Sequence, residues 1–79
     1  MKDILETIVK HLVENQDAVK ITEVTKPENE NLIEFKVNVA KEDMGKIIGK
    51  QGRLAKSIRT VMKSIAGKEH KKVSIEFIG

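Results

Sequence analysis

Seventy-nine residues with no cysteine and a net charge of +3 allow one thin hydrophobic core, without disulfides or thiolate metal ligands to hold it. The apolar runs are short and broken by charge, which excludes a transmembrane helix. The opening "MKDILETIVKHLVEN" mixes acids into its apolar pattern and lacks a small-residue cleavage site, so a soluble cytoplasmic chain without a signal peptide is expected.

Ile4, Leu5, Ile8, Val9, Leu12 and Val13 recur at the spacing of one helical face. They predict a first helix ending near Asn15, with Glu6 and Lys10 at the favourable i,i+4 order. The β-branched residues Val19, Ile21, Thr22, Val24 and Thr25 predict a strand over 19–25. "KPENEN" reads as an exposed turn, because Pro27 cannot continue a ladder. Ile33, Phe35, Val37 and Val39 then alternate with Glu34, Lys36 and Asn38, which is a strand with one wet face.

A short helix fits 41–48, with Glu42 and Asp43 in the first turn where the dipole favours acids. Residues 49–52 break it. A longer helix over 52–66 carries the apolar stripe Leu54, Ile58, Val61, Met62 and Ile65, with Gly67 as its C′ stop. After "GKEHKK", Val73, Ile75 and Phe77 form one face of a last strand. The order α–β–β–α–α–β predicts an α+β fold: a three-stranded mixed sheet covered on one face by helices. Its first two strands are antiparallel and its last is parallel, across a helical crossover.

Charge is unevenly spread along this order. Residues 1–40 carry five Lys against eight acids, a net of −3, while residues 41–72 carry ten Lys/Arg against three acids, a net of +7. Such asymmetry points to a polyanion-facing half or to a Lys-rich solubilising surface.

The stretch "MGKIIGKQGR", residues 44–53, favours the first of these. Gly49 and Gly52 bracket Lys50 and Gln51 between two helices, where glycine is unfavourable unless geometry requires it. They permit a sharp turn and the close approach of a ligand backbone. The helix that follows offers the positive end of its dipole to a phosphate. Lys46, Lys50 and Arg53 add charge around the same point. At about 100° per residue, Arg53, Lys56, Arg59 and Lys63 share one sector of that helix, either as a row for successive phosphates or as an ordinary solvated face. Ile47 and Ile48 are successive, so either one packs inside and the other floors a groove, or both are core.

Two other phosphate-binding patterns fail. A Walker loop needs four residues between its glycines and a Ser or Thr after the Lys, but Gln51 follows Lys50. The dinucleotide fingerprint follows a strand, and this loop follows a helix. His11 and His70 are isolated, the former beside the apolar face of the first helix and the latter in a Lys-rich loop. No motif supports metal binding. Neither catalytic residues nor a cofactor are expected.

"GKIIGKQGRLAKSI", residues 45–58, resembles the signature of KH domains: an apolar pair, a G-x-x-G loop, then a helix with spaced aliphatics. KH domains clamp about four nucleotides of backbone with that loop. The element order resembles the type II arrangement, and the likeness spans the whole chain, which implies a single KH domain over 1–79 of the small stand-alone bacterial kind. The resemblance further implies a cytoplasmic protein that binds single-stranded RNA through Gly45, Lys46, Ile47, Ile48, Gly49, Lys50, Gln51, Gly52, Arg53 and Lys56, with the last strand as the far wall of the groove. It implies an RNA chaperone or post-transcriptional regulator with a role in cell shape and wall synthesis. Such a protein would act as a homodimer or as a heterodimer with a larger KH protein of the KhpB type. The competing reading is a dimerisation or adaptor module, with Ile58, Val61, Met62 and Ile65 as its contact face unless that stripe packs on the sheet. The chain has no Tyr or Trp, and Phe35 and Phe77 read as core, so aromatic stacking of bases is not expected.

Overall fold

The computed structural model describes residues 1–78, with Lys50 described in its backbone alone. The elements are α1 (Lys2–Leu12), a 3-10 turn (Gln16–Ala18), β1 (Lys20–Lys26), β2 (Asn29–Asn38), the helical span α2 (Lys41–Lys68) and β3 (Lys72–Ile78). Within α2, φ turns positive at Gln51 (64°) and Gly52 (71°). Left-handed residues cannot continue a right-handed helix, so α2 is two halves, 41–50 and 53–68, meeting at the expected break. Counted this way, the order is the α–β–β–α–α–β read from the sequence, and the fold is α+β.

The sheet order is β1-β2-β3, with β1 antiparallel and β3 parallel to β2. Ile33, Phe35 and Val37 of β2 are buried with Val73 and Ile75 of β3, while Glu34, Lys36 and Asn38 alternate to the other face. The helices cover the apolar face. Leu5 and Val9 of α1, Ile47 of the first half of α2, and Ala55, Ile58, Met62 and Ala66 of the second half complete one core. Leu5, Phe35, Ile47, Ile58 and Met62 are almost wholly enclosed, and truncating such a side chain to Ala costs about 2–5 kcal/mol.

Several boundaries differ from the expectation, each for a local reason. The first helix stops at Leu12 rather than near Asn15, because the amides of Glu14 and Asn15 donate to the Asp43 carboxylate at 3.0 and 3.1 Å. Ile4 and Leu12, placed on its apolar face, are exposed. The turn shrinks to Pro27–Glu28, and β2 begins at Asn29 with an irregular register between Thr25 and Lys26. The polar residues Asn29, Glu30 and Asn31 extend the strand as an exposed hairpin arm, with Asn29 paired to Lys26 beyond the irregularity. Phe77 is half-buried at the edge of the core, and only Phe35 is a full core residue.

Gly67 is not the C′ residue. The helix runs to Lys68, with Glu69 as C-cap, and His70 (φ 59°) is the left-handed residue that follows. The His70 amide donates to Gly67 O at 3.1 Å and the Lys71 amide to Ala66 O at 2.9 Å. These two bonds define a Schellman turn. A histidine in this conformation carries about 1–2 kcal/mol of steric cost that glycine avoids, less what glycine loses in chain entropy. His70→Gly is therefore expected to stabilise the fold by about 0.5–1 kcal/mol, seen as a melting midpoint several degrees higher. His70→Val is expected to lower it.

Candidate functional site

Gly45, Lys46 and Gly49 of the first half of α2, with Arg53 and Leu54 of the second, line an open concavity of about 620 Å³. Gly45 and Gly49 are four residues apart and so share one helical face. A Cβ added at Gly45, Gly49 or Gly52 would meet nothing within 4 Å among the described residues. No described neighbour therefore demands a glycine at 45 or 49, and each costs about 1 kcal/mol of helix propensity relative to Ala. Gly52 is different: its positive φ requires it. Gln51 shares that conformation without being glycine, and left-handed non-glycine residues concentrate where a loop has a task beyond folding.

The charges around the concavity are unequal in their freedom. Lys46 Nζ lies 2.6 Å from Glu14 Oε1, and this hydrogen bond raises the lysine's pKa. Both side chains are exposed, Glu14 by 82%, so the pair is screened by water and a phosphate could replace the carboxylate at little cost. Arg53 and Lys56 are exposed on the second half. Gln51 is exposed at the turn, and the Lys50 side chain lies outside the described residues. Arg59, expected in the same row, is already engaged. Its Nε donates to Ile75 O at 3.3 Å and its guanidinium sits 5.6 Å from the Phe77 ring centre. Because Ile78 O accepts from Val39 of the β2 side, alternation turns Ile75 O to the free edge of β3. Arg59 thus covers an open sheet edge.

Ile47 is 1% exposed and is a core side chain, so it is not a ligand contact. Ile48 is 54% exposed but does not line the concavity, whose apolar floor is Leu54. Successive positions on a helix point about 100° apart, which separates the two isoleucines. Ile58 and Met62 are at 2% and 0% exposure, so they cannot form a dimer face; the sheet already covers them. Of that set Val61 is exposed and Ile65 half-buried. His11 Nδ1 lies 2.7 Å from Thr7 O on the surface of α1. Among the described residues, no group of three or more His, Cys, Asp or Glu is placed to hold a metal, and no helix is long and apolar enough to cross a membrane.

An antiparallel hairpin, a parallel third strand and two helical halves meeting at a G-x-x-G turn define a type II KH domain. The sequence model of the KhpA/KhpB KH domain matches residues 2–77, and the chain belongs to that family. It is 55% identical over 78 residues to the RNA-binding protein KhpA of Clostridium acetobutylicum, covering 99% of this chain and 100% of the relative. Its identity is 50% to the RNA-binding protein KhpA of Clostridium perfringens, at the same coverage. With the protein of that name from Listeria monocytogenes it is 42%, over 99% of both chains. These names denote RNA-binding proteins and not an enzyme class. No solved structure matches the chain.

Asp43, read from the sequence only as a first-turn acid, is 3% exposed and ties the end of α1 to the half-helix that carries Gly45 and Gly49. The Glu14 amide holds its carboxyl below the ordinary aspartate value, against the opposing effect of burial; the Asn15 amide and Lys46 add to the lowering. The ionised form is thus favoured by folding. Its contribution to stability is full above the unfolded value of 3.8 and is lost as pH falls through the lower folded value. Asp43→Asn is expected to melt below the parent at pH 7, with the gap narrowing at pH below that of an ordinary aspartate. Thermal midpoints across pH measure this, and a gap independent of pH would overturn it.

Proposed function

We propose that residues 1–79 are one KH domain that holds short single-stranded RNA, with the phosphodiester backbone laid over Gly45, Gly49 and the Gln51–Gly52 turn. The observation that carries this reading is the pair of bare glycines on one helical face, unneeded by internal packing, on a concavity rimmed by Lys46 and Arg53. The names of the relatives point the same way. In this reading Lys46, Lys50, Arg53 and Lys56 meet phosphates, the Gln51 and Gly52 backbone meets the strand, Leu54 floors the site and Ile48 offers apolar surface to a base. β3 forms the far wall, and Ile47 supports the helix from beneath.

Binding of this kind is weak and salt-dependent, because phosphate contacts dominate it. Phe35 is enclosed and one face of Phe77 carries Arg59, so stacking worth about 1–3 kcal/mol per base has no ready platform. A second linked KH module would raise affinity through effective concentration. That need supports action as a homodimer or with a larger KhpB-like KH protein, as a cytoplasmic RNA chaperone or post-transcriptional regulator. Control of cell shape and wall synthesis rests on the family resemblance.

The variant Gly45→Ala, Gly49→Ala is expected to fold about 1–2 kcal/mol more stably through helix propensity, yet to bind a short RNA about tenfold more weakly. Calorimetry and fluorescence anisotropy measure the two arms. A second variant, Lys50→Asp with Gln51→Asp, is expected to lose binding while keeping its fold; unchanged affinity would sink the proposed clamp. Self-pairing is read by sedimentation across concentrations, where association is expected and a strict monomer at high concentration argues against it.

A further inference from the structure

A second basic concavity, of about 310 Å³, lies at the opposite end of the 53–68 half-helix and is lined by Leu32, Lys63, Lys71, Lys72 and Val73. We infer that it is an outlying phosphate subsite, which engages a single-stranded RNA long enough to continue past the G-x-x-G turn. This deepens the RNA-binding reading above and rests on it.

Three lysines from three parts of the chain converge there: one from α2, one from the turn after it and one from β3. No acid lines the pocket, and none of the three lysines takes part in an ion pair among the described residues. By contrast, Lys10, Lys26 and Lys46 each have a carboxylate partner. The position of Lys71 is fixed by its backbone, since its amide closes the Schellman turn onto Ala66 O behind the left-handed His70. Leu32 and Val73 give the pocket an apolar floor. Lysines near a helix C-terminus also complement the dipole, and Lys68 in the last turn does so. That effect fades within one turn, so it does not account for Lys63, which is five residues before the end, or for Lys72 in the strand.

Distance sets the length of RNA required. Ten residues of helix from Arg53 to Lys63 rise about 15 Å. At about 3.4 Å per phosphate along a stacked strand, that is four to five nucleotides. The G-x-x-G turn takes about four, so a tetranucleotide fills the loop alone and a strand of about eight or more reaches both sites. Arg59, between them, is held on Ile75 O and Phe77; Lys56 is the exposed cation along the way.

The test compares oligouridylates of four and twelve nucleotides. The variant Lys63→Gln, Lys71→Gln, Lys72→Gln is set beside a control in which Lys2, Lys10 and Lys20 are changed to Gln. The lysine-pocket variant is expected to lose about fivefold or more in affinity for the 12-mer, to flatten its salt slope by about two, and to bind the 4-mer as the parent does. The control removes equal charge and is expected to leave the 12-mer within about twofold. In the parent, backbone amide NMR signals of Lys71 and Lys72 are expected to shift with the 12-mer and not with the 4-mer. Equal losses for both lengths, equal losses in the control, or no loss for the 12-mer would each overturn the subsite while leaving the loop clamp standing. A parent that binds neither length would overturn both.

Discussion

The left-handed pair Gln51–Gly52 is the constraint on which this architecture turns. A straight helix of 28 residues would extend about 42 Å, whereas the longest dimension of the protein is 35 Å. Unbroken, α2 would lift one half off the sheet. With the break, Ile47 from one half and Ala55, Ile58 and Met62 from the other enter the same core. The turn that makes this possible is left on the outside, flanked by Gly49 and Arg53. The core and the candidate site are therefore two faces of a single backbone event.

A second tie fixes the first half of α2 from the other side. Asp43 accepts both amides after α1, and its neighbour one turn on, Lys46, pairs with Glu14 of the same segment. The end of α1 thus supplies an anion beside the concavity as well as a structural anchor beneath it. A polyanion arriving at Lys46 competes with Glu14 and has no need to disturb Asp43, whose partners are main-chain groups. The exposed Lys46–Glu14 pair and the buried Asp43 anchor thus lie only one helical turn apart, joined through Glu14, whose amide serves one and whose carboxylate serves the other.

Most of the fold was legible because its signals are periodic. The alternation through Ile33, Phe35 and Val37 and the helical recurrence of Leu5 and Val9 each mark a buried face, and two glycines in a basic stretch mark the break. What was illegible depends on partners distant in sequence. Nothing near Asn15 announces that its amide is taken by Asp43, so the helical period alone runs past the observed end at Leu12. The charge of Arg59 placed it among solvated cations, and only tertiary structure brings it to the open carbonyl of Ile75. Leu54 sits on the apolar stripe by spacing yet is only half-buried and borders the concavity, next to the left-handed turn at Gln51–Gly52. The stripe Ile58, Val61, Met62 and Ile65 is ambiguous between sheet and partner in the sequence; burial assigns Ile58 and Met62 to the sheet and leaves Val61 exposed. His70 was invisible as a cap because glycine is the residue that advertises that conformation, and Gly67 stood nearby.

The empty space over Gly45 and Gly49 also bears on how such a protein changes over generations. Heat or a destabilising background rewards any substitution that firms up a helix, and these two codons offer an accessible gain with no steric obstacle. A lineage freed from its ligand would be expected to drift to alanine there before its core altered. Under the proposed RNA contact, both glycines are held against a standing thermodynamic pull, and a redesign that optimises folding alone would close the concavity while improving every measure of the fold.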